Sequence, residues 1–185
     1  MSSMNILMIH EVEPWMFDLD YTRYDVITFD DGLYTQYLHR EFFQSLEIPL
    51  VYFISTGVVC TSGIEQNEQN VQVVQSELAH RQAGDGDLSA FMTWAQIKEL
   101  YKAPDSFIGG HSHTHPDLSG LRMIERVQVA KHEVQNMIAT FEMQKIRTKM
   151  FAYPYNSDLV EYRSALPGFQ FFGPERIDIR SLRNS

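Results

Sequence analysis

Cysteine is nearly absent from this chain: Cys60 is the only one in 185 residues. No intrachain disulfide can form, which suits a reducing compartment. Long apolar runs are missing as well. Nothing approaches the roughly 18 apolar residues that a membrane-spanning helix needs. Met1 to Met8 carry no positive charge and no extended apolar stretch, and His10, Glu11 and Glu13 follow at once. That is not the pattern of a secretory signal peptide, and the expected setting is the cytoplasm. Basic residues are few: 15 Lys and Arg stand against 24 Asp and Glu, a net charge of −9. They form no basic stripe, and an acidic surface repels phosphate backbones, so nucleic acid is not an expected partner. Repeats, low-complexity tracts and linkers are also lacking. A chain of this length defaults to one domain, 1–185.

What is present is an ordinary globular balance, with 44% hydrophobic and 21% charged residues. Short β-branched and apolar runs, Asn5–Ile9, Tyr24–Phe29 and Leu50–Ser55, read as strands. Between the last two, apolar residues at Tyr34, Leu38, Phe42 and Leu46 have the four-residue spacing of one helix over Tyr34–Leu46. This is a β-α-β unit, expected to be parallel with a right-handed crossover. Residues 60–90 are polar and read as a surface insertion with a short helix over Val71–His80, placed to cover the site or a subunit contact. Thr93–Tyr101 reads as a helix with Thr93 as N-cap and Gln96 completing a capping box. Phe107–Gly110 and Lys149–Tyr153 read as strands, and Arg122–Phe141 as a long helix. Phe169–Phe172 and Arg176–Leu182 give one or two more strands. Alternating strands and helices predict a parallel sheet or an α/β barrel, in which ligand sites lie at the carboxyl ends of strands.

Three separated pieces fall at such ends: Thr28-Phe29-Asp30-Asp31-Gly32, His111-Ser112-His113-Thr114-His115-Pro116 and Phe151-Ala152-Tyr153-Pro154-Tyr155-Asn156. Neighbouring aspartates at a strand end point to different sides, so one can ligate an ion while the other faces substrate. His111 and His115, four apart on one turn, can face one ion. A carboxylate with two imidazoles is a ligand set for a divalent metal, and the spare carboxylate is a proton acceptor. The stiff turn at Pro154 can aim a backbone N–H at a developing oxyanion. His113 is expected to point elsewhere. His10, after the first strand, is placed to line the site mouth. His39, His80 and His132 are expected at the surface.

Together these pieces resemble the polysaccharide deacetylase family, the NodB-homology domain of carbohydrate esterase family 4. Its first motif, Thr-Phe-Asp-Asp-Gly, stands whole at Thr28–Gly32. Its second, His-(Ser/Thr)-x-x-His, stands whole at His111–His115. Its third, Arg-x-Pro-Tyr, stands in part at Ala152–Tyr155. The resemblance covers roughly residues 5–160. It implies a deformed (β/α) barrel with fewer than eight regular strands. It also implies that Asp31, His111 and His115 bind a metal, zinc first with cobalt and nickel as alternatives. Asp30 would be the general base, and Tyr155 would offer its N–H to the oxyanion. Pro154, Tyr155 and His10 would meet substrate, and Ser112 would brace the histidine loop. The implied function is metal-dependent removal of an N-acyl group from a sugar, a precursor or saccharide of surface-polysaccharide synthesis. The alternative is a weak or inactive relative that binds metal and carbohydrate. The chain departs from the family at its third motif and lacks the Asp-containing fourth motif and the fifth, Leu-x-His. Ala152 replaces the Arg that steadies the base, for which Arg176, Arg180 or Arg163 could stand in. No His follows His132, so the usual general acid is missing, with Asp178, Glu175 and His113 as weak substitutes.

Overall fold

The computed structural model describes residues 4–61, 66–67 and 73–183. Seven strands pair, all in parallel, into one sheet: β1 (Ile6–Ile9), β2 (Val26–Phe29), β3 (Leu50–Ile54), β4 (Ser106–Gly110), β5 (Met150–Ala152), β6 (Gln170–Phe172) and β7 (Ile177–Asp178). Their order across the sheet is β6-β5-β4-β3-β2-β1-β7. The sheet curls into a half-barrel, so the expectation of a deformed barrel with fewer than eight strands is met.

Parallel strands are covered on both faces, which is why they read as near-continuous apolar runs. Side-chain alternation divides β3 between the two faces. Leu50, Tyr52 and Ile54 enter the large outer core under the helices. Val51 and Phe53 enter a small inner cluster with Ile6, Ala152 and Phe172. The same alternation along β2 puts Thr28 and Asp30 on the inner side, and Phe29 on the outer side, where it stacks on Tyr52 with ring centroids 4.7 Å apart.

The helices are α1 (Tyr34–Leu38), α2 (Arg40–Gln44), α3 (Ser76–Gly84), α4 (Trp94–Lys102), α5 (Met123–Met143) and α6 (Val160–Ala165). The capping box at Thr93 is present, with Gln96 N–H on Thr93 Oγ1 at 3.3 Å and Thr93 N–H on Gln96 Oε1 at 2.8 Å. Two readings need correction. The single helix expected over Tyr34–Leu46 breaks at His39, which leaves helical geometry (φ −101°, ψ 17°) and sets its ring edge-on against Phe17. The insertion helix lies later than expected, at Ser76–Gly84; Val71 and Gln72 fall outside the described residues. The long helix α5 buries Ala130, Val134, Met137 and Phe141, whereas Val127 is exposed. Among the described residues, no helix is long and apolar enough to cross a membrane.

Candidate active site

Local backbone geometry separates the two aspartates. Asp30 continues the inner face of β2, and its N–H donates to Ile9 O at 2.9 Å. Asp31 turns into the left-handed region (φ 75°), which Asp tolerates better than most residues. Gly32 follows at φ 82°, where a Cβ would also meet Ile54 Cδ1 at 3.1 Å. The turn thus sends adjacent carboxylates to different sides, as the sequence implied. Gln36 Nε2 ties it down by donating to Asp30 O at 2.6 Å and His10 O at 2.7 Å.

The histidine loop is held from both ends. Ser55 Oγ donates to His111 O at 3.0 Å, and Gly57 N–H donates to His113 O at 2.7 Å. Buried Glu133 of α5 accepts the N–H groups of His113 and Thr114 at 2.8 and 2.6 Å, and the Thr114 hydroxyl at 2.8 Å. Ser112 Oγ accepts the His115 N–H at 3.0 Å. His113 turns away, pairing its Nδ1 with Thr56 Oγ1 at 2.8 Å. Five non-glycine residues in the three motifs, Asp31, Ser112, His115, Tyr155 and Asn156, have positive φ. Such strain, about 1–3 kcal/mol each, persists where surrounding structure over-determines it and gathers at working sites.

Around Asp31 Oδ1 three imidazole nitrogens converge: His80 Nε2 at 3.1 Å and His111 and His115 Nε2 at 3.4 Å each. His111 donates its Nδ1–H to Ala152 O at 2.9 Å, which turns Nε2 toward Asp31. Among these converging atoms, Asp31 Oδ1 and His80 Nε2 are buried without a hydrogen-bond partner. Lone pairs aimed at one another repel unless a cation lies among them, and unpaired buried polar atoms are costly. Donor type and unpaired state both fit a divalent ion such as zinc. Donor atoms of Asp31, His80 and His115 all lie within 4.8 Å of one another.

His80 is therefore a correction to the sequence reading. It is a site residue and not a surface one, with only 15% of its side chain exposed. Its signal was the four-residue spacing from Ser76, which puts both on one helix face against Asp31. His132 is exposed as expected, and His39 is half-buried.

Asp30 is gripped by Arg176. Nη1 donates to Oδ1 at 2.7 Å and Nη2 to Oδ2 at 2.8 Å, and the Arg176 side chain is fully buried. Arg176 also donates to Thr28 Oγ1 at 3.2 Å and Asn156 Oδ1 at 2.7 Å, and lies over the Phe53 ring. Of the three arginines considered as stand-ins, Arg176 alone meets Asp30. Arg163 pairs with Asp158 and Arg180 with Asp178. Burial acts to raise the Asp30 pKa, but the Arg176 and His111 charges outweigh it, so the carboxyl sits below its ordinary value. Asp31 is held well below the usual carboxylate range, His115 first among the groups that overcome its burial. Burial pushes His115 down to about 3, which keeps its imidazole neutral. His111 moves upward, because Asp30 and Asp31 outweigh its burial.

A cleft of about 930 Å³ opens over this cluster, lined among others by His10, Asp30, His111, His115, Tyr155 and Asp178. Tyr155 is 57% exposed, and its ring centroid sits 4.6 Å from that of His115. Asn156 N–H donates to Tyr153 O at 3.0 Å and Ser157 N–H to Pro154 O at 3.1 Å, so the Tyr155 N–H stays outside the turn's own bonding. Pro154 is buried within the turn and is not part of the lining. Of Asp178, Glu175 and His113, Asp178 alone lines the cleft.

The sequence matches the profile of the family described as polysaccharide deacetylase over residues 22–167. The chain belongs to the polysaccharide deacetylase family. Solved structures share the fold at low identity. A de-N-acetylase from Aggregatibacter actinomycetemcomitans aligns with TM-score 0.64 at 12% identity, covering 94% of this chain and 92% of that one. IcaB from Ammonifex degensii aligns with TM-score 0.61 at 17% identity, covering 95% and 85%. The deacetylase domain of BpsB from Bordetella bronchiseptica aligns with TM-score 0.57 at 14% identity, covering 83% and 69%. No curated protein sequence matches this deacetylase-family chain significantly.

Proposed function

We propose that the protein is a metal-dependent carbohydrate N-deacetylase, acting on an N-acylated precursor or saccharide of surface-polysaccharide synthesis. The observation that carries this reading is the convergence of unpaired Asp31 and histidine donors beside a second, Arg-held carboxylate. Asp31, His111 and His115 would hold the ion, with zinc best suited to the donor set. When bound, such an ion lowers the pKa of water and polarises an acyl carbonyl.

The chain's own residues supply the rest. Asp30 is the base: Oδ2 faces the donor cluster, 3.9 Å from His111 Nε2, and keeps a lone pair beyond its bond to Arg176. It accepts the water proton there. Arg176 fixes the plane of that carboxylate, the service Ala152 cannot give. The Tyr155 N–H donates to the oxyanion of the attacked amide. Its exposed ring, with His10, borders the sugar. The proton that Asp30 takes from water is the one available to return to the leaving amine; Asp178, also on the cleft lining, is held ionised by Arg180.

The test is release of acyl groups from a panel of N-acetylated saccharides and nucleotide-linked sugars by zinc-loaded protein. Released acetate with matching free amine, lost in Asp30→Asn, supports the reading. No release from any substrate refutes it. One observation favours a second reading, a metal- and sugar-binding protein without turnover: no histidine follows His132 to serve as general acid. Turnover that depends on Asp30 eliminates that reading.

A further inference from the structure

Helix α3 lies outside all three motifs, yet two of its side chains close on Asp31. Ser76 Oγ donates to Asp31 Oδ2. One turn on, His80 Nε2 is closer to Asp31 Oδ1 than either motif histidine is, at 3.1 Å against 3.4 Å. The His80 ring stacks on His115 with centroids 4.3 Å apart and meets the Phe91 edge at 5.2 Å. Ala79 is fully buried in a satellite core with Leu33, Val58, Ala90 and Phe91. The Ser76 N–H is further tied to buried Glu11 at 3.3 Å. Packing and polar contacts thus fix where His80 points.

His80 Nε2 lies 3.1 Å from Asp31 Oδ1, and both atoms are buried without a well-formed hydrogen bond. Outer-sphere histidines in metal sites normally hydrogen-bond a ligand's spare atom. His80 does not: it aims at the same oxygen that faces His111 and His115. Resting on the metal-dependent reading above, we infer that His80 is a fourth protein ligand, making the set Asp31, His80, His111 and His115. Three protein ligands leave a catalytic zinc site one open position, and four make the closed pattern of structural sites. His80 is therefore an exchangeable ligand, and substrate entry requires either its withdrawal with α3 or an expanded coordination shell.

The experiment titrates wild type, His80→Phe and His80→Gln with cobalt(II), following the visible absorption bands and the affinity by competition with a chelator. Phe keeps the ring packing, and Gln keeps polarity; circular dichroism checks both for folding. Loss of His80 is expected to weaken cobalt binding by more than about 100-fold, beyond the 10–100-fold that an outer-sphere partner carries. The bands should also fall in intensity as water replaces nitrogen. Unchanged bands in the folded variants overturn the inference while leaving the metal-dependent reading intact. Absence of cobalt binding by wild type overturns both. Nitrogen NMR of labelled imidazoles in wild type needs no variant. Zinc should shift the Nε2 signals of His80, His111 and His115 together, and a shift confined to His111 and His115 overturns the inference.

Discussion

Arg176 and Asp30 stand 146 positions apart in the sequence and meet through two parallel hydrogen bonds of 2.7 and 2.8 Å. Such bidentate pairs combine strength with fixed geometry. Ala152 packs in the inner cluster with Phe53 and Phe172. Arg176 enters that half-barrel from the far side, in the segment between β6 and β7. Asp30 is thus braced from a segment later in the chain than Ala152, the position at which the family pattern carries its Arg.

Replacing Arg176 by Met leaves the Asp30 charge buried and uncompensated. The cost expected is about 3–5 kcal/mol of stability, read by chemical denaturation. Arg176 holds the Asp30 pKa down, so its removal raises that pKa. The acid limb of the pH–rate profile should move to higher pH, because the base protonates earlier on acidification. An unmoved limb separates mere structural support from positioning of the base.

Asp30→Asn removes the proton acceptor and keeps its shape. Turnover should fall by about 10²–10⁴-fold, while zinc binding measured by calorimetry persists. Loss of zinc binding in the folded variant would place Asp30 among the ligands.

Chelation should lower the thermal midpoint and abolish acyl release, and added zinc should restore both. A site filled at 100 times its dissociation constant contributes about 2.7 kcal/mol to folding. An unchanged midpoint on chelation contradicts a bound ion at the buried donor cluster.

Glu133 never touches the donor cluster but holds the loop that carries it. Glu133→Ala leaves two backbone N–H groups without their acceptor, at about 1–3 kcal/mol each. Zinc affinity should drop by about 10–100-fold, the scale for supporting partners. Gly57→Ala should act similarly, because its Cβ would lie 2.8 Å from His113 O. Zinc titration of both variants checks this, and wild-type affinity would show that the loop holds its shape unaided.

The legible parts of this site were local. Asp30, Asp31, His111, His115 and Tyr155 sit at strand ends, and alternating strand and turn patterns reveal strand ends. The parallel sheet followed from the same apolar runs. Arg176 was legible only as one of three arginines, since nothing near it in sequence signals a partner 146 residues away. His80 was misread because its helix is short and polar in composition, and polar helices usually face water. Its burial comes from Ala79 and Phe91 packing α3 against the turn after β2, a tertiary effect. The break at His39 was hidden for a like reason: Phe17, from the 3-10 helix Pro14–Asp18, packs against it.

The most direct measurement is metal content of the purified protein by elemental analysis, beside the His111→Ala/His115→Ala double variant. Wild type should carry about one equivalent of zinc or a similar divalent ion, as a single Asp–His site holds, and the folded double variant none. A wild type that stays metal-free after incubation with zinc, cobalt or nickel would contradict a metal-dependent deacetylase.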